Sequence, residues 1–215
     1  MRMTSKQKTL RLVQISILAA LIIVLQFLGS LISGATGLPM SFVLIPIVVG
    51  ALVIGPKAGG LLGLVFGIMT IIMGFTGLDA FTSILFNNFG TWKMIVCVIL
   101  CVVKATLAGL CSGWVYRLLN KFFNGKNVTL TTVLASVTAP IVNTGIFVIG
   151  MLLFFFNDMG AIQSLLQVPA EGFMGSAKFI FIGLAGMNFI MEFAINLIIS
   201  PAIVRIVDVV KKKLK

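Results

Sequence analysis

Long apolar runs separated by short gaps of alternating charge constrain this chain more than any other feature. One set of gaps holds Arg2, Lys6, Lys8 and Arg11, then Lys57, then Arg117, Lys121 and Lys126, then Arg205, Lys211, Lys212, Lys213 and Lys215. The intervening gaps hold Asp79, Asp158 and Glu171, with Lys93 and Lys178 as their basic residues. Lys and Arg are retained on the cytoplasmic side of a membrane. The alternation therefore predicts a multi-pass membrane protein with both termini cytoplasmic.

Composition leaves few other readings. Of 215 residues, 60% are hydrophobic and 10% charged, with a mean hydropathy of +1.19. A water-soluble domain of this size could not hide so much apolar surface. In lipid the backbone must satisfy itself, which leaves helices or a closed barrel. The runs are continuous and roughly 17–25 residues long, as a helix crossing the hydrocarbon requires, and they lack the alternation of barrel strands. The expected fold is all-α: six transmembrane helices, at about 10–31, 40–54, 58–73, 92–119, 130–156 and 176–207, in one integral membrane domain over residues 1–215.

Thirteen of the sixteen basic residues fall on the side assigned to the cytoplasm. The net charge of +11 thus reflects orientation and anionic lipid rather than nucleic acid. The basic, then apolar amino end reads as a retained first helix. Cys97, Cys101 and Cys111 have no C-x-x-C spacing and the chain has no His, so no metal site or cofactor is expected. No P-loop pattern occurs, and paired carboxylates for acid–base work are missing, so no catalytic residues are expected.

Polar residues within spans mark candidate sites, because hydrocarbon tolerates them only against protein or water. In span six, Asn188, Glu192 and Asn196 stand at i, i+4 and i+8 and share one helix face. Either interhelical bonding or a solute pocket accounts for them, with Asn196 the more structural of the three. In span five, Asn143 follows Pro140 and precedes Thr144, again for packing or for ligand. Asn87, Asn88, Trp92 and Lys93 cluster before and at the start of span four, and Lys178 opens span six. A ring, a cation and two amides are a recognition set, although interfacial Trp and snorkelling Lys are also ordinary membrane chemistry. Gly59, Gly60, Gly63 and Gly67 in span three, and Ser16, Ala19 and Ala20 in span one, mark close helix approach.

The segment Ile45 to Gly59, with its G-A-x-x-x-G-P-x-x-G pattern, resembles the substrate-binding S component of energy-coupling factor (ECF) vitamin transporters, as does the six-helix plan. The resemblance implies a protein of the bacterial plasma membrane that captures a vitamin from outside. It then docks on a transmembrane coupling protein with two ATPase subunits and topples in the bilayer to release its cargo. It further implies docking through Ser16, Ala19 and Ala20, with Ser16 a departure from the family's alanine. A lid loop carrying Gly34, Gly37 and Pro39 is implied too. The implied pocket gathers Asn87, Asn88, Trp92, Lys93, Asn143, Lys178 and Asn188, with Glu192 beneath.

Riboflavin and thiamine binders are expected to bring more pocket aromatics than one Tyr and two Trp. Two outer cations with several amides suit a small hydroxylated carboxylate, so pantothenate leads, followed by folate or riboflavin. The alternative is a stand-alone secondary transporter, with Glu192 and Lys104 as a proton-linked pair. Orientation is directly testable in a background without the native cysteines. Lys213→Cys is expected to resist a membrane-impermeant maleimide in intact cells, while Ser164→Cys is labelled. Labelling of the tail would reverse the topology.

Overall fold

The computed structural model describes residues 5–36, 42–165, 175, 178–184 and 186–213. In chain order these form α1 (Ser5–Thr36), α2 (Leu44–Val53), α3 (Pro56–Thr76), α4 (Ala80–Asn88), α5 (Gly90–Phe122) and α6 (Val128–Phe154). A 3-10 turn (Phe156–Asp158), α7 (Met159–Leu165), a π-helical segment (Phe179–Leu184) and α8 (Gly186–Lys213) complete them. Among the described residues there is no strand. Among the described residues five helices are long and apolar enough to cross a membrane: α1, α3, α5, α6 and α8.

Several expectations change. The second span, placed at 40–54, is a helix of 10 residues, or about 15 Å, half of what the hydrocarbon requires. Pro46 opens rather than interrupts it, standing in its first turn where no intrahelical N–H bond is lost. Nearly every α2 side chain is buried, so it is a half-length core element wrapped by the longer helices. The segment after α3 is not a loop: Asp79 caps α4 by accepting from the Thr82 N–H at 3.1 Å. The next such segment holds the 3-10 turn and α7. Gly34, expected in a lid loop, lies within α1, and the other two lid residues, Gly37 and Pro39, fall outside the described residues.

The closest approach in the bundle is between α3 and α5. A Cβ added to Gly59 would stand 2.5 Å from the Gly109 carbonyl oxygen, and one on Gly67 would stand 2.8 Å from that of Cys101. One on Gly63 would collide with the Ala105 carbonyl. The three glycines recur every four residues and meet 109, 105 and 101 in descending order, so the two helices run antiparallel with backbone against backbone. At the turn from α2, Gly55 has φ of 132°, and a side chain there would also strike the Arg117 guanidinium at 2.7 Å. Pro56 then supplies the first residue of α3.

Two apolar clusters occupy opposite ends. One joins Leu85 and Phe86 of α4, Val96, Cys97 and Cys101 of α5, Met151 of α6 and Met159 and Ile162 of α7. The other, toward the basic end, joins Val48, Ala51 and Leu52 of α2, Tyr116 of α5, Ala135 and Ala139 of α6, and Ile203 and Val207 of α8. Helix α1 lies at the edge: Ile22 is buried against α2 and α3, whereas Ile17, Leu21, Val24 and Leu28 are exposed. In α8, Pro201 removes the N–H that would bond the Leu197 carbonyl. The Ser200 hydroxyl donates to that carbonyl at 2.8 Å instead, so the helix continues.

The glycine seam yields a stability test. Gly63→Leu is expected to destabilise the purified protein by about 3 kcal/mol, because backbone rather than a yielding side chain occupies the space. Ile68→Leu, on the exposed side of the same helix, is expected to leave the melting temperature unchanged. Thermal unfolding in detergent measures both.

Candidate functional site

A buried polar layer separates the two apolar clusters. On α8, Asn188 is half-buried while Glu192, Asn196 and Ser200 are buried, so the four form one inward stripe. On α6, Asn143 and Thr144 are buried one turn beyond Ala139 and Pro140. The Asn143 amide (2% exposed) donates to Glu192 Oε2 (1% exposed) at 3.3 Å. The Asn196 amide donates to the Glu192 backbone carbonyl at 2.8 Å. Among the described residues, Asn143 Oδ1, Thr144 Oγ1 and Asn196 Oδ1 have no hydrogen-bond partner. Buried polar atoms are rarely left this way, and the layer offers acceptors and a carboxyl group to anything that enters it.

Lys104 lies near this layer. It is the fifteenth of 33 residues in α5, so about 21 Å of helix separates it from Gly90 and about 15 Å from the exposed Trp114, too far for its side chain to snorkel to the headgroups. Trp92, Ile95, Ile99 and Val103 form the exposed side of α5, whereas Cys97, Cys101 and Ala108 are buried. Lys104 belongs to the latter side. Its ammonium sits 5.0 Å from the centroid of the Phe147 ring on α6, whose other neighbour is the edge-on Phe81 of α4 at 5.7 Å. A lysine at the centre of a spanning helix costs about 3 kcal/mol on insertion scales, of which a cation–π contact restores about 0.5–2 kcal/mol. Phe147 is one helical turn from Asn143 on α6, so the lysine and the carboxyl group are brought to neighbouring levels of the same helix.

The remaining sequence candidates are elsewhere. Lys93 forms an ion pair with Asp158 of the 3-10 turn and lies 5.9 Å from the Phe89 ring. Asn87 donates to Ser83 Oγ at 3.2 Å and Asn88 to the Ile84 carbonyl at 3.0 Å, both on the exposed surface of α4. Trp92 is 70% exposed and Lys178 is also exposed. The structure thus joins Asn143, Asn188 and Glu192 in one layer and spreads the other five around the end formed by α4 and α7. Two participants were not in the sequence reading of the site. Asp158 pairs with a residue 65 positions away, for which no local pattern exists. Gln163 of α7 is 1% exposed, and its side-chain oxygen has no partner among the described residues; in sequence it stands in a polar gap like any surface amide.

On α1, Ser16 and Ala20 are exposed and Ala19 is half-buried against the α2–α3 cluster. Residues 12–87, about a third of the chain, match the family model described as Thiamine transporter protein (Thia_YuaJ). That stretch spans most of α1, all of α2 and α3, and α4 nearly to its end; Lys104, Asn143 and Glu192 lie beyond it. No curated protein and no solved structure matches the chain.

The ion pair at the α4–α7 end is part-exposed, with Lys93 30% and Asp158 19% accessible. A double-mutant cycle of Lys93→Met and Asp158→Asn, read by thermal unfolding, is expected to give a coupling of about 0.5–1 kcal/mol. The coupling should shrink as salt is raised.

Proposed function

We propose that this chain is the membrane-embedded S component of an ECF-type vitamin importer in a bacterial plasma membrane, with both termini cytoplasmic. The observation that carries the reading is the polar layer of Asn143, Asn188 and Glu192, held between helices of membrane-crossing length. Such a layer is costly in a bundle that only packs, and useful in one that captures a water-soluble molecule. Asn87, Asn88, Trp92, Lys93 and Lys178 are proposed as the rim through which the vitamin enters, and the segment with Gly37 and Pro39 as its lid.

Thiamine is proposed as the substrate. The family match over residues 12–87 supports it, and so does the chemistry of the layer. Glu192 offers a counter-charge for a cationic ring and, with Asn143, acceptors for an exocyclic amine. The case for pantothenate rested on two outer cations, and Lys93 is already engaged by Asp158. Release to the cytoplasm is proposed to require a transmembrane coupling protein and two ATPase subunits. The exposed Ser16 and Ala20 on α1 leave room for a second helix to come close.

Mass spectrometry of small molecules carried through purification, followed by isothermal titration with thiamine, tests the reading. Glu192→Gln and Asn143→Leu are each expected to weaken binding at least about tenfold, the scale of a charge-assisted hydrogen bond. Ala20→Trp is expected to bind normally yet abolish uptake in cells that carry the ATPase partners. Uptake at the normal rate by that variant would remove α1 as the docking face.

A further inference from the structure

The polar layer has an acidic pole at Glu192, and Lys104 supplies a basic one. A cation at mid-helix, beyond reach of either headgroup layer, is retained for a use inside the bundle. Lys93 pairs with Asp158 at the α4–α7 end, whereas the Lys104 ammonium lies over the face of Phe147. A ring covers one side of an ammonium, which still has three N–H donors to direct elsewhere. Phe147 and Asn143 are successive residues of one α6 stripe, with Cβ atoms about 6 Å apart. The Asn143 amide is bonded to Glu192. Helices α5, α6 and α8 therefore bring a cation, an aromatic wall, an amide and a carboxyl group to adjacent levels of the bundle.

We infer that Lys104 is the anion-binding residue of the site, and that the captured molecule is dipolar, with an amine- or hydroxyl-rich end at Asn143 and Glu192 and a carboxylate or phosphate at Lys104. The face of Phe147 holds the ammonium, and Phe81 packs edge-on against Phe147. A lysine that served only as packing would gain nothing from the charge of a ligand. The inference rests on the vitamin-binding reading and narrows thiamine to its monophosphate, which adds the anionic group that thiamine lacks; a preference in the pantothenate pair instead would keep the role of Lys104 and replace the vitamin.

The test uses the full chain purified in detergent and two pairs of probes that differ in that charge: pantothenate with its alcohol analogue, and thiamine monophosphate with thiamine. Isothermal titration of the wild type is expected to favour the anionic member of one pair by at least about 30-fold, the worth of a charge-assisted hydrogen bond in a low-dielectric site. Whichever pair shows the preference identifies carboxylate or phosphate. Lys104→Met should erase that preference while leaving the uncharged partner's affinity within about threefold, and Lys104→Arg should restore most of it. The unchanged affinity for the uncharged partner serves as the check on folding. Equal affinities within both pairs, or a preference that survives in Lys104→Met, would overturn the inference. Thiamine that binds as tightly as its monophosphate, with no preference in the pantothenate pair either, would do so while leaving the vitamin-binding reading intact. Failure of all four probes to bind would remove that reading and the inference with it.

Discussion

The contact between α3 and α5 sets the geometry of everything around it. Where Gly59, Gly63 and Gly67 meet Gly109, Ala105 and Cys101, no side chain intervenes, and two backbones touch. In lipid the hydrophobic effect does not drive helices together, so close van der Waals contact of this kind must. The seam also fixes rotation. With one side of α5 turned to α3 through residues 101, 105 and 109, Lys104 stands about 100° around the helix from Ala105 and reaches the ring of Phe147 on α6. Ser112, just beyond the end of the seam, donates to the Ala135 carbonyl of α6 at 2.7 Å. A bulkier residue in the seam would rotate or displace both.

The polar layer depends on that alignment and limits the alternatives in turn. Asn143 and Glu192 are 49 residues apart in sequence, and sliding α8 by one turn along α6 would break their hydrogen bond. Buried polar groups satisfied in one register and costly in the rest give a bundle a single arrangement. The apolar clusters on either side contribute bulk without direction. Their methionines, phenylalanines and isoleucines tolerate more than one arrangement.

The membrane class was plain in the sequence, because hydropathy and charge sidedness are local and the hydrocarbon thickness is fixed. Spans three, four and five were legible to within a few residues; α1 runs five residues further at each end than span one, and the helix of span six starts at Gly186 rather than 176. The glycines of span three announced a close approach, although their partner helix could not be read. The length of the second helix was not legible for a physical reason: an apolar run has the same composition whether lipid or protein surrounds it, so the 10-residue α2 read as a full-length helix. The α4 segment was missed because a short helix with mixed polarity, Ala80 to Asn88, resembles a loop when its cap at Asp79 is overlooked. For the site, the i, i+4, i+8 spacing of Asn188, Glu192 and Asn196 was sufficient to assign one face. Their meeting with Asn143, and the capture of Lys93 by Asp158, required tertiary structure, since no periodicity relates residues so far apart. Lys104 was visible from the start as a lone charge in an apolar run; its aromatic companion was not.

Helix α5 is longer than its principal neighbour. It has 33 residues against 21 in α3, and Gly113 is level with Pro56, the first residue of α3. The nine residues from Trp114 to Phe122 therefore extend past α3 by about 14 Å, with Tyr116 still packed against α2, α6 and α8. This overhang carries Arg117 and Lys121, with an exposed Trp114 at its root. It acts as a keel. Indole at the waterline and cations below it fix how deep the molecule rides, so a change in its inclination must drag those charges through the headgroups, where the resistance to rocking is concentrated.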